Sequence, residues 1–141
     1  MRISREADYS LRILLLLGQN QSLKLSAGEI AARMRVPERF NLKILRKLTL
    51  AGLMHSYRGV YGGFSLAMAP EDINLLLIIE ALEGTVFLNR CLKNPDECSL
   101  NYAGQCPIHA SLYQINESLR EQFRAVSLAY LLAQAEPMPA P

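Results

Sequence analysis

No apolar run in this 141-residue chain is long enough to cross a bilayer. The longest aliphatic runs, 13–17 and 75–79, fall far short of the roughly 18–20 residues of a spanning helix. The amino terminus lacks a basic flank leading into an apolar stretch and a small-residue cleavage site, so the chain reads as mature and cytoplasmic. Histidine is scarce: His55 and His109 are the two copies. Paired carboxylates in an apolar setting, a phosphate-binding loop and a Ser/His/Asp arrangement are all missing, which argues against an enzyme. Cysteine occurs three times, at Cys91, Cys98 and Cys106. An odd number cannot all be consumed in intrachain disulfides, and a cytoplasmic chain would not normally keep such bonds.

What is present is ample for a core. Half the residues are hydrophobic and 20% are charged, which predicts one folded domain with a small appendage and excludes global disorder. The formal net charge of +2 hides a polarity. Residues 1–66 carry eleven Lys/Arg against four Asp/Glu, a balance of +7, whereas residues 67–141 carry four against nine, a balance of −5. A basic half joined to an acidic half points to contact between the basic half and a polyanion.

Local signals in the basic half form a pattern. A first helix is predicted over 5–17, capped by Ser4 and ended by Gly18-Gln19-Asn20-Gln21. Ser26-Ala27-Gly28-Glu29 is a capping box that starts a second helix, which Arg35-Val36-Pro37 breaks. A third helix is predicted over 37–51, with Gly52 as its stop. Phe40, Ile44, Leu45 and Leu48 form its apolar stripe, and Glu38, Arg39, Leu42, Lys43 and Arg46 fall opposite. A short helix, a tight break and a second, basic helix make a helix-turn-helix pattern. Two short strands, 53–57 and 64–68, then flank Arg58-Gly59-Val60-Tyr61-Gly62-Gly63, whose glycines permit a tight hairpin. A basic hairpin after a recognition helix is a wing, which typically lies on phosphates or in a minor groove. Arg39, Lys43 and Arg46 are therefore expected to face DNA from the third helix, and Arg58 and Tyr61 from the wing. His55, on the first wing strand, reads as a wing or phosphate-facing residue.

Beyond the wing, Asn74 caps a fourth helix that Gly84 ends, with Ile73 and Ile78 at staple spacing. The expected organisation is a winged-helix domain over 1–84, a cysteine-containing loop over 85–106, one long helix over 107–132 and a tail over 133–141. Along the long helix Ile108, Leu112, Ile115, Leu119, Phe123, Val126 and Tyr130 step by threes and fours, close to a heptad seam. Such a seam needs a partner, and a twofold dimer in which these helices pair is the expectation.

The cysteine spacing is C-x6-C-x7-C, followed by His109. Thiolates gathered in a polar loop suit a soft metal or an iron–sulfur cluster. Three cysteines leave one coordination position for another donor: His109 would close a zinc site, and His109, a carboxylate or an exchangeable ligand could complete a cluster. Asp96-Glu97 beside Cys98 reads as a solvated acidic turn.

The chain resembles the bacterial Rrf2 regulators, the group that includes the IscR, NsrR and RirA branches, from residue 1 to about residue 132. Four features carry the resemblance. They are Ala7-Asp8-Tyr9-Ser10-Leu11-Arg12, the recognition helix through Ala51-Gly52-Leu53, the wing Arg58-Gly59-Val60-Tyr61-Gly62-Gly63-Phe64-Ser65-Leu66, and the cysteine loop before a long helix. The resemblance implies a mostly α homodimeric winged-helix transcription factor that binds an operator in double-stranded DNA. It also implies an iron–sulfur cluster in each protomer, of two-iron or four-iron type, that controls DNA affinity. Cys91, Cys98 and Cys106 would ligate iron. The fourth ligand would be Asp8, given by the other subunit as in NsrR-like members, or His109, as in IscR-like members. Leu42-Lys43-Ile44 looks more like the NsrR and RirA branch, which points to Asp8. The intervals of six and seven exceed the commonest family spacing, and Asn41 stands where members often carry leucine. The alternative function is a zinc-stabilised or thiol-switch adaptor that binds protein.

Overall fold

The structure, a computed structural model, describes residues 2–137. Helix α1 (Arg5–Gln19) starts where the Ser4 hydroxyl accepts the amide of Ala7 at 3.2 Å. It buries Ala7, Ile13, Leu14 and Leu17, and the buried Ser10 hydroxyl donates to the Glu6 carbonyl at 2.7 Å. The helix runs past its expected stop. Gly18 is itself buried in the last turn, and a Cβ there would lie 2.8 Å from Leu132 Cδ1. The missing side chain admits a later helix instead of ending this one.

Helix α2 (Ala27–Met34) carries the expected capping box in full: the Ser26 amide donates to Glu29 Oε2 at 2.7 Å, and the Glu29 amide donates to Ser26 Oγ at 3.2 Å. Arg35 adopts left-handed backbone (φ 51°) to turn the chain into α3 (Glu38–Leu50). Ile44, Leu45 and Leu48 are buried as expected, but Phe40 only packs at the margin of the core. The further buried position is Asn41, whose Nδ2 donates to the Ala27 carbonyl at 2.8 Å and ties α3 to the start of α2.

Strands β1 (Met54–Tyr57) and β2 (Gly63–Leu66) pair antiparallel, with Met54 opposite Leu66 and Tyr57 opposite Gly63. The wing is not free-standing. The amide of Leu25 donates to the Phe64 carbonyl (3.1 Å) and the amide of Phe64 to the Leu25 carbonyl (2.8 Å). Gly63 makes this possible: its φ is 143°, and a Cβ there would lie 2.8 Å from the Leu25 oxygen.

Helix α4 (Leu75–Glu83) follows, with the Leu77 amide donating to the Asn74 side chain at 2.9 Å. Then come a one-turn helix α5 (Arg90–Lys93) and 3-10 turns at Pro95–Glu97 and Ala103–Gln105. The single helix expected over 107–132 is instead two helices, α6 (Pro107–Ala125) and α7 (Leu128–Gln134). Extended backbone at Val126 and Ser127 divides them, because it pairs with the entry to α4: the Leu75 amide donates to the Val126 carbonyl (3.0 Å) and the Leu128 amide to the Ile73 carbonyl (2.7 Å). Ser127 caps α7, and Leu128 is buried in the same core as Ile73 and Leu14. The heptad spacing therefore continues across a break. Of the expected seam, Ile108 and Ile115 are exposed on α6, while Leu119 and Phe123 pack against Leu76, Ile79 and Val86. Of the expected tail over 133–141, residues 133 and 134 end α7, and 138–141 lie outside the described residues.

Candidate functional site

Two regions carry the candidate residues. The first is the basic face of the winged helix. Arg39, Lys43 and Arg46 are exposed on α3, and the Arg39 guanidinium lies 5.0 Å from the Phe40 ring centroid. Leu42 is 56% exposed between them, an apolar side chain available to a partner on the recognition face. Arg58 is exposed on the wing, and Val60 and Tyr61 stand at its tip with over nine-tenths of their surface open. Three glycines shape this tip: Gly59 has φ 97°, Gly62 could hold no Cβ without coming within 2.4 Å of the Tyr57 oxygen, and Gly63 meets Leu25. His55 is exposed on β1, its ring 6.0 Å from that of Tyr57. Lys24, from the α1–α2 connection, lies 4.0 Å over the Tyr57 ring and brings a further cation to the wing. Sequence periodicity could not find Lys24, since its neighbour is set by the Leu25–Phe64 pairing.

One member of the basic face is already engaged. Lys43 Nζ is ion-paired with Glu6 on α1, and Lys47 Nζ donates to the other Glu6 oxygen at 2.7 Å. These lysines, Lys43 first, hold the Glu6 carboxyl below the usual carboxylate range. Glu6 carried no signal in the sequence, because the contact spans 37 residues.

The second region is the cysteine loop. All three cysteines are half-buried. Cys106 precedes α6, and its sulfur accepts the amide of His109 at 3.5 Å. The His109 ring turns the other way, with Nδ1 3.4 Å from Cys91 Sγ. His109 thus joins Cys91 and Cys106. Cys98 is held apart, on a turn whose backbone amides, Tyr102 first and Leu100 next, lower its thiol pKa by stabilising the thiolate. Among the described residues no three His, Cys, Asp or Glu side chains close into a metal-binding group. Asp8 is not at this loop within the chain: on α1 it is ion-paired with Arg12, one turn on. The donor set nonetheless has the chemistry of an iron or cluster site, with three half-buried sulfurs, one of lowered thiol pKa, and an imidazole against Cys91. An open cleft of about 700 Å³ adjoins it, lined by Cys106, His109 and Tyr113.

A buried scaffold that composition did not reveal holds the loop to the domain. Asn116 on α6 is buried; its Oδ1 accepts the Leu88 amide at 2.9 Å and its Nδ2 donates to the Val86 carbonyl at 3.4 Å. Arg120 pairs with Glu80 and donates to Val86 O at 3.3 Å, and Glu80 accepts the Val86 amide at 3.0 Å.

A basic recognition helix beside a hairpin with exposed cations is the DNA-binding arrangement of a winged-helix transcriptional regulator. The sequence matches the model of a family described as "Rrf2: Iron-dependent Transcriptional regulator" over residues 3–134, and the chain belongs to this family. It is similar to the HTH-type transcriptional regulator NsrR of Geobacillus kaustophilus (strain HTA426), with 29% identity over 94% of this chain and 90% of that one. Among solved structures it is similar to CymR (YrzC), the global cysteine regulator of B. subtilis, with TM-score 0.78 and 25% identity over 96% and 99% of the two chains. IscR of T. potens superposes with TM-score 0.74 and 26% identity over 96% and 89%. The mostly helical winged-helix fold and the DNA-binding regulatory class expected from the sequence are thereby established, and the class is not enzymatic. The family match supports transcriptional regulation in place of the protein-binding role weighed as an alternative. No helix among the described residues is long and apolar enough to cross a membrane.

Proposed function

We propose that the protein is a cytoplasmic, homodimeric repressor whose affinity for its operator is set by an iron–sulfur cluster that senses nitric oxide, iron or redox state. The observation that carries this reading is the placement of His109, its ring against Cys91 and its amide on Cys106, in the segment that also carries Cys98, whose thiol pKa is lowered. Cys91, Cys98 and Cys106 would hold the cluster, which supplies a centre whose iron can lose or exchange its weakest ligand. The local geometry favours His109 as the fourth donor. Asp8 is engaged by Arg12 in its own chain and would serve only a partner's loop, after leaving that pair. Whichever donor serves, the loop is tied through Asn116 and Arg120 to α6 and α4, and α4 packs on α1 and α3. That gives loop rearrangement a packed route to the recognition helix. Exposed Ile108, Tyr113 and Ile115 on α6 are the surface for a twofold partner.

On DNA, Arg39, Lys43 and Arg46 enter the major groove, while Arg58 and Tyr61 contact backbone or minor groove from the wing. The test is anaerobic reconstitution with iron and sulfide. Wild type should show a visible chromophore and bound iron, each Cys→Ala variant should lose it, and loaded and cluster-free protein should differ in operator affinity. Cysteine variants with full iron content would sink this reading. His109→Ala and Asp8→Ala separate the two donors: loss of the true ligand changes the spectrum and speeds cluster decay.

A further inference from the structure

We infer that Glu6 is a specificity-determining residue: it holds Lys43 and Lys47 of the recognition helix away from DNA phosphates and so lowers binding to arbitrary sequence. Glu6 lies in the first turn of α1, and its two carboxylate oxygens are divided between the two lysines, one each. Its side chain is only 20% exposed, whereas that of Lys43 is 57% exposed. The acceptor is thus fixed against the domain while the lysine reaches toward solvent. Lys47 is restrained further, since its Nζ also donates to the Leu82 carbonyl at 3.4 Å. The Ser10 hydroxyl on the Glu6 carbonyl and the Ser4 cap fix the turn that carries the carboxylate.

The consequence follows from how cations bind DNA. Every lysine that neutralises a phosphate adds a sequence-independent contribution, together with counterion release. A regulator must discriminate its operator from a large excess of other sites, so cations free to meet any phosphate erode its specificity. Pairing with Glu6 makes Lys43 and Lys47 poor phosphate ligands, because the exchange replaces one anion by another. Lys43 has donors beyond the one on Glu6, so it can still donate to a base edge such as guanine O6/N7 within its reach, which arbitrary sequence does not guarantee. Arg39, Arg46 and Arg58 have no such intramolecular carboxylate among the described ion pairs, and Arg58 on the wing supplies the general attraction.

The experiment measures binding to a random-sequence duplex of about 30 base pairs as a function of salt, with wild type, Glu6→Gln, Lys47→Gln and the double variant. Glutamine keeps the shape and removes the charge, and thermal melting verifies the fold. Glu6→Gln should bind this duplex more tightly and with a steeper salt dependence. Between about 50 and 200 mM salt its affinity should fall by an additional factor of about three for each freed lysine, hence about tenfold for both. Lys47→Gln should leave the slope nearly unchanged in the wild-type background but remove about one phosphate's worth in the Glu6→Gln background. That background dependence is not expected of a residue that only stabilises the fold. An unchanged or shallower slope in Glu6→Gln overturns the inference. So does a Lys47→Gln effect of equal size in both backgrounds. If Glu6→Gln does not fold, Lys47→Gln alone decides: a full loss of one contact from wild type refutes the clamp, and no loss supports it.

Discussion

At the residue scale, cations that share one sign differ in what they can do. Arg58 sits on a hairpin whose shape is set by glycine, so it can reach a backbone but is not held in register with base edges. Arg58→Ala should weaken binding to all sequences and reduce the salt slope by about one, as read from titrations at several salt concentrations. Arg46 faces out from a rigid helix. Arg46→Ala should cost about 1–3 kcal/mol on the operator and relax preference at one base position, as measured against a panel of single-base variants. A second residue-scale outcome concerns Glu29. Its carboxyl lies below the usual range because the Ser26 amide, and next the Ser26 side chain, donate to it. A depressed folded pKa stabilises above the unfolded value and loses that contribution as pH falls through the folded one. The stability advantage of wild type over Glu29→Gln should therefore be smaller at about pH 3 than at pH 7, in paired urea titrations. An identical difference at both pH values would mean the charge plays no part in the cap. The cap as a whole is measured by Ser26→Ala, expected to cost about 1 kcal/mol.

Elements meet here through small residues and buried amides as much as through apolar faces. Asn116 joins α6 to the segment ahead of the cysteines by two hydrogen bonds. Asn116→Leu fills the volume but leaves the Leu88 amide without its partner and the Val86 carbonyl with Arg120 alone. Stability should fall by about 1–3 kcal/mol, and amide exchange across residues 86–98 should quicken. Gly18 performs the corresponding service between α1 and α7. Its helical backbone would accept alanine, but the new Cβ would meet Leu132 at 2.8 Å, so α7 must shift or Leu132 must change rotamer. Asn41 belongs to the same class. At a position where an apolar residue would serve packing, it buries an amide that fastens the recognition helix to the first turn of α2.

Over the whole molecule, the break at Val126 and Ser127 decides what the C-terminal segment does. One continuous helix would have carried the entire apolar seam away from the domain. Instead α7 folds back onto α1, and α6 alone projects the exposed Ile108, Tyr113 and Ile115. Two substitutions that look alike in sequence should then differ in outcome. Ile115→Asp should leave the monomer folded and abolish the proposed dimer at micromolar concentration, as sedimentation would show. Leu119→Asp places a charge against Leu76, Ile79 and Val86 and should lower the unfolding free energy by about 2 kcal/mol or more, seen as a shifted urea midpoint. A folded, dimeric Ile115→Asp protein would remove this face from the interface. The charge polarity acts at this scale as well: the basic half holds the helix-turn-helix and wing, and the acidic half holds the loop and α6, so attraction to DNA orients the molecule before any base is read.

Short-range chemistry explains what could be read without coordinates. The Ser4, Ser26 and Asn74 caps, the turn at Arg35, the hairpin glycines and the stripe Ile44-Leu45-Leu48 are interactions among near neighbours, and all form where residue spacing places them. The winged-helix class follows from them. Contacts across long separations were beyond that reach. Glu6 meets Lys43 and Lys47 because α1 packs on α3. Lys24 meets Tyr57 because a bridge ties Leu25 to Phe64. The apolar repeat continues unbroken from Ile108 to Tyr130, yet the helix does not, because the backbone at Val126 and Ser127 pairs with the start of α4. Periodicity records which residues are apolar; only tertiary packing decides which of them face their own domain and which are left for a partner.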